Sequence, residues 1–239
     1  MATTAVCVSD KQEMLQAAHC FNGPLSALAG AGTSGQFTLT GLATTAGMAV
    51  GMAVTGTGIA TGAVIASIDS GTQVTLSKAH TGTVTTGTIA MTGDAFKLLL
   101  IKVTPTRTFD GTQTNVGTPG TAGPTATNVG TDEASGTGYT SGGMALTNVT
   151  PTVSGSTAFT DFSPDPSLTT ASISCTAGII YNTSVRLGHA TGITPNAGGS
   201  AINRSVSVHD FGGTQTVAAG TMTFVFPTPD ASNAILRIA

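Results

Sequence analysis

Hydrophobic and small polar residues alternate along the C-terminal half of the chain, most clearly over residues 170–181 (TASISCTAGIIY). There Ile173, Cys175, Ile179 and Tyr181 are spaced by Ser, Thr, Ala and Gly. A period of two of this kind predicts a strand with one buried face. Residues 155–161 (GSTAFTD), 205–211 (SVSVHDF) and 216–226 (TVAAGTMTFVF) carry the same texture. In SVSVHDF the pattern turns Val206 and Val208 to one side and Ser205, Ser207 and His209 to the other. In TMTFVF it sets Met222, Phe224 and Phe226 against Thr221, Thr223 and Val225. Four short strands between clusters of Gly, Asn, Pro and Asp predict an all-β fold, an antiparallel β-sandwich or jelly roll.

The N-terminal part reads differently. Residues 9–21 (SDKQEMLQAAHCF) offer Ser9 or Asp10 as N-cap and repeat Met14, Leu15, Ala18 and Phe21 at helical spacing, which predicts a short amphipathic helix. Residues 22–35 read as a Gly/Pro/Ala loop. From 36 to 93 short Thr/Val/Ile runs broken by Gly predict a small β module, with Asp69-Ser70-Gly71 as a hairpin turn. Residues 94–103 (DAFKLLLIKV) contain the uninterrupted run Leu98, Leu99, Leu100, Ile101, which predicts a strand covered on both faces. The sandwich body is therefore expected over 1–35 and 94–239, with 36–93 inserted between its helix and that strand, as exposed loop tips tolerate. Residues 105–133 are dominated by Gly, Pro, Thr and Asn, with little apolar beyond Phe109 and two Val. Such a loop cannot fold by itself, and a neighbouring subunit is the surface expected to order it.

Composition narrows the function classes. Charged residues make up 8% of the 239 and glycine numbers 32, so hydroxyl groups supply much of the solubility. Eight Lys and Arg against a net charge of -3 argue against a nucleic-acid partner, which needs a clustered basic surface. No run of about eighteen apolar residues predicts a membrane span. The start MATTAVCVSDKQEM has neither basic n-region nor apolar h-region, so no secretory signal is expected and folding is placed in a cytoplasm. Cys7, Cys20 and Cys175 are odd in number and lack zinc spacing, so they read as buried, idle thiols with a Cys7–Cys20 bridge as the alternative.

Candidate chemistry is sparse. Asp161, Asp165, Asp210 and Asp230 could supply a glycosidase carboxylate pair, but no spacing pairs any two of them, and Asp is common where chains reverse. His19 beside Cys20 on a helix, and His209 beside Asp210 on a strand, point in different directions and form neither a dyad nor a triad. Residues 135–143 (SGTGYTSGG) superficially resemble a phosphate loop, yet no Gly-Lys-Ser/Thr follows; turn and bulge chemistry around Tyr139 is the plainer reading. Asn148, Asn182 and Asn203 open glycosylation patterns that a cytoplasmic product would not use. Catalytic residues, cofactor sites and metal sites are all expected to be absent.

The order of SDKQEMLQAAHCF, DAFKLLLIKV, ASGTGYTSGGMALTNV, ISCTAGIIYNTS, SVSVHDFGGTQTV, TMTFVFP and DASNAILRIA is similar to a family of small virion structural proteins of tailed bacteriophages. In that family the helix and the hydrophobic strand usually lie close in sequence; here 36–93 separates them. That insertion, through GMAVTGTGIATGAVIASIDSGTQVTLS, resembles a β module of phage tail-fibre and surface proteins. The resemblance implies a non-enzymatic protein of the virion, assembled in the host cytoplasm, with capsid decoration (cement) as first choice and a tail or tail-fibre component that binds the host receptor as the alternative. The partners it implies are the major capsid protein or other virion proteins. Copies of the chain itself, as a dimer or trimer, are expected on general symmetry grounds. The terminal NAILRIA is expected to pair at a subunit edge or to close the sandwich.

Overall fold

A computed structural model describes residues 2–15, 19–184 and 203–238. In chain order its elements are β1 (Ala5–Val6), α1 (Val8–Leu15), β2 (Leu25–Leu28), β3 (Thr38–Leu39), β4 (Ala53–Thr55), β5 (Ala63–Ser70), β6 (Gln73–Leu76), β7 (Ile89–Thr92), β8 (Phe96–Ile101), β9 (Met144–Leu146), β10 (Thr152–Ser154), β11 (Thr157–Thr160), β12 (Ser167–Asn182), β13 (Arg204–Thr223) and β14 (Leu236–Ile238). The chain is all-β, in three antiparallel sheets ordered β1-β13-β12-β8-β9, β10-β11-β14 and β2-β7-β4-β5-β6-β3. These ladders fit a β-sandwich; they do not by themselves give the eight-strand jelly-roll order.

The five-stranded sheet is buried on both faces. Phe96, Leu98, Leu100 and Ile180 enter one apolar cluster, while Leu99, Ile101, Ala177 and Ile179 enter another on the opposite side. The unbroken apolar run of β8 follows from this, because a strand covered twice has no face to give to water. β12 and β13 form one long antiparallel hairpin whose register shifts repeatedly, at Cys175/Ala177 and Ile180/Tyr181 among other places. Bulges of this kind bend a strand and let it pass from one layer to the next. The bend is large: the rings of Phe211 and Phe224 lie 5.4 Å apart, whereas thirteen straight strand residues would span about 43 Å. Leu168, Ala171, Ile173 and Phe224 from the far end of the hairpin thus share a cluster with Leu98 and Val206 from its near end. The two layers are in large part the same two strands folded over.

One bulge overturns a detail of the alternation. Ile180 pairs with Ser207 and Tyr181 with Ser205, which leaves Val206 as the extra residue. Val206 therefore joins one cluster and Val208 the other, instead of sharing a face.

The loop over 105–133 packs on its own chain. Phe109, Val116 and Val129 are fully buried against Leu99, Ile101, Ile179 and Val208, and each such burial contributes roughly 1.5–3 kcal/mol. Polar atoms around them are satisfied locally. The Asp132 carboxylate accepts from Thr106 N at 2.8 Å and pairs with Lys102 Nζ at 2.8 Å, Gln113 Nε2 donates to Asn115 O, and Arg107 stacks 4.9 Å over the Phe109 ring. The loop makes one outer layer of the body. The small sheet of β10, β11 and β14 contributes to the other side through Leu236, with Phe162 just past β11 in the same cluster, and the terminal NAILRIA pairs within the chain, Ala158 opposite Ile238.

The third sheet has its own core of Leu39, Met52, Val54, Ile65, Val74, Leu76, Ile89 and Met91. It also takes in β2, since Leu25 pairs with Met91 and Leu28 with Ile89. Part of the expected 22–35 loop is therefore strand, and this sheet begins upstream of residue 36. Helix α1 covers eight residues; His19, Cys20 and Phe21, expected within it, carry no helix, and 16–18 lie outside the described residues.

Candidate interaction surface

The three cysteines are buried thiols, without a disulfide between Cys7 and Cys20. His19 and Cys20 go separate ways. The Cys20 thiol lies 3.5 Å from Asn22 Oδ1, while His19 is drawn into a buried polar knot. Asn182 Nδ2 lies 2.8 Å from His19 Nδ1 and donates to Asp94 Oδ2 at 2.7 Å. His19 Nε2 stands 3.4 Å from Asp10 Oδ1, with both side chains shut off from solvent. Asp94 Oδ2 also accepts from Cys20 N at 2.9 Å, and Asp94 N donates to Cys20 O. The knot thus ties the chain leaving for the third sheet to the chain returning from it. Asn182 is fully buried in this knot, which closes that glycosylation pattern.

The four aspartates are caps. Asp161 accepts from Phe162 N and Ile235 N, and burial, with Asp165 adding, raises its carboxyl above the usual range. Asp165 accepts from Phe226 N, Asp210 from Gly212 N, and Asp230 from Ser232 N and Asn233 N. The glycine run over 135–143 is packed down rather than open. Glu133 accepts from Tyr139 Oη, Ser141 Oγ and Gly142 N, and a Cβ at Gly143 would sit 2.3 Å from Leu98 O. Among the described residues no group of His, Cys, Asp and Glu is arranged to hold a metal ion.

His209 is separated from Asp210 in role. Its Nε2 lies 2.8 Å from Ser207 Oγ, and burial pushes its imidazole down to about 4, against about 6.5 in an unfolded chain. The folded state then binds fewer protons than the unfolded one between those values. Stability contributed by the neutral ring is present above pH 6.5, declines as pH falls toward 4, and is level below. The expected loss is on the order of 2–3 kcal/mol, read as a falling melting temperature between pH 7 and 4. His209→Gln should flatten that part of the profile, and an equal slope in both proteins would contradict the assignment.

The bend of β13 opens a surface groove. The groove, of about 660 Å³, runs beside the strand, lined by Phe211, Val217, Met222, Phe224, Val225 and Phe226 and by the polar residues His209, Asp210, Gln215 and several threonines. Val225, on the opposite parity, is 79% exposed. β1 pairs only with Ser207 and Val208, so from Phe211 to Thr223 no strand among the described residues covers the outer edge of β13. Residues 211–229 include no Asp, Glu, Lys or Arg. A site with an apolar floor, a hydroxyl rim and an unpaired backbone edge suits a protein surface better than an ionic ligand. The alternation in TMTFVF foretold the parity of Phe224, Phe226 and Val225, but the groove itself depends on the bend. No protein-family model matches the chain, and no curated protein and no solved structure matches it.

Proposed function

We propose that this chain is a structural protein of a bacteriophage virion, a decoration protein that binds and stabilises the major capsid lattice. The observation that carries the reading is the apolar-floored groove beside β13 together with the charge-free segment 211–229, carried on a sheet whose central strands are filled on both faces. That is a rigid platform with a surface for protein contact. The similarity of the segment order to small phage virion proteins supports the same reading. The mechanism is adhesive: several small contacts per copy, repeated over a lattice, add up to a stable shell through multivalency. A tail or fibre protein that contacts the host receptor is the second reading. It is favoured by the third sheet's hydroxyl-bearing surface, where Ser67, Thr75 and Gln73 surround Asp69.

Copy number decides between them. Purified particles from cells carrying the gene, analysed by gel densitometry and mass spectrometry, should hold tens to hundreds of copies if the protein decorates the head. A few copies per particle would favour the fibre, and absence from particles would overturn both.

A further inference from the structure

We infer that His19 is a proton-operated switch in the buried knot: neutral, it is bonded to Asn182 and through it to Asp94, and protonated, it lets go of Asn182 and closes on Asp10 of α1. The first step is the orientation of the Asn182 amide. A backbone N–H can only donate, so the atom that Ser184 N meets at 2.8 Å is Oδ1. Nδ2 is then the atom that donates to Asp94 Oδ2 at 2.7 Å and faces His19 Nδ1 at 2.8 Å. An NH2 group has nothing to accept with, so Nδ1 presents a lone pair and the ring proton sits on Nε2. The imidazole is therefore neutral, tight against Asn182, and 3.4 Å from Asp10 Oδ1, longer than an ordinary N–H···O bond.

A second proton has to go to Nδ1, where it would point straight at an Nδ2 hydrogen. The amide cannot turn over to receive it. Doing so would set Nδ2 against Ser184 N and Oδ1 against the Asp94 carboxylate, losing two bonds to gain one. The charged groups around the ring give its direction of movement. Asp10 comes from α1, Asp94 from the chain entering β8, and Arg204 from β13, where it pairs in register opposite Asn182. The rings of Phe21 and Phe96 lie 5.8 and 6.2 Å from the imidazole. Asp94 stands behind the Asn182 amide, whereas Asp10 is the carboxylate that Nε2 already addresses. An imidazolium–carboxylate bond is shorter and stronger than its neutral counterpart. With both side chains closed to solvent, no water competes for it. Closing on Asp10 leaves one Asn182 hydrogen without its acceptor in a buried site. The switch does not rest on the virion reading.

Nitrogen-15 NMR of the full chain tests it. At neutral pH His19 should show the Nε2–H tautomer, with Nδ1 unprotonated. As pH falls, the Asn182 side-chain hydrogens should shift along the His19 titration and, corrected for intrinsic exchange at each pH, exchange about fivefold faster, as the loss of one hydrogen bond implies. In His19→Gln the new amide can offer its oxygen to Asn182 and its NH2 to Asp10, so the response should vanish while the neutral-pH melt stays close to wild type. Should that variant fail to fold, the wild-type tautomer and titration decide alone. A proton on Nδ1 at neutral pH, a ring that stays neutral until the whole chain unfolds, or Asn182 hydrogens indifferent to the His19 titration would each overturn the switch. So would an equal acid response in His19→Gln.

Discussion

Replacing Asp94 with Ala is expected to lower the melting temperature by about 6–20 °C, through a loss of roughly 3–5 kcal/mol. The size follows from what one carboxylate does. Its Oδ2 accepts from Cys20 N at 2.9 Å and from Asn182 Nδ2 at 2.7 Å, both in buried surroundings. Alanine removes the acceptor and leaves both donors without it. An unsatisfied buried donor costs the full desolvation of the group, about 1–3 kcal/mol apiece, where a satisfied one contributes only about 1. Asp94→Asn keeps one carbonyl oxygen and should recover part of the loss. The knot joins the two chain crossings into the third sheet, so hydrogen exchange should quicken first around 20–23 and 92–95. An unchanged melt in the alanine variant would mean that the knot is not a fastening.

The sequence made some of these arrangements legible and concealed others for physical reasons. The double burial of β8 was readable because four consecutive apolar residues, Leu98 to Ile101, can lie only in a strand covered twice. The alternation over 170–181 likewise marks part of β12. What misleads is non-local pairing. Gly212 and Gly213 look like a turn between two strands, yet in β13 they form a bulge within one strand. Leu25 to Leu28 becomes a strand because β7, more than sixty residues away, supplies its ladder. The expected helix stops short because backbone and side-chain bonds from Asp94 and Asn182 draw Cys20 and His19 elsewhere, a case of tertiary contacts overriding local propensity. The groove beside β13 was hidden most fully. It exists only after a strand bends enough to bring Phe211 against Phe224, and no local pattern encodes that angle.

The 105–133 loop supplies the second large effect, because its three apolar residues are its anchors. Phe109→Ala is expected to cost about 3–5 kcal/mol. Phe109 is fully buried between the loop and the central sheet, its carbonyl accepts from Thr3 N at 2.9 Å, and its ring carries the Arg107 guanidinium. With the ring gone, Arg107 loses its platform while its bonds to Gln113 and Thr125 must hold the loop over a cavity. Limited trypsin digestion should then cut at Arg107 much faster than in the wild type. The same digestion separates the two ways of ordering the loop. Protection supplied by a neighbouring subunit would fade on dilution, whereas protection supplied by the chain's own sheet stays constant across concentration. Constant protection in the wild type, together with rapid cutting in Phe109→Ala, is the expected pair of results. Protection that fades on dilution would return the loop to an intersubunit role.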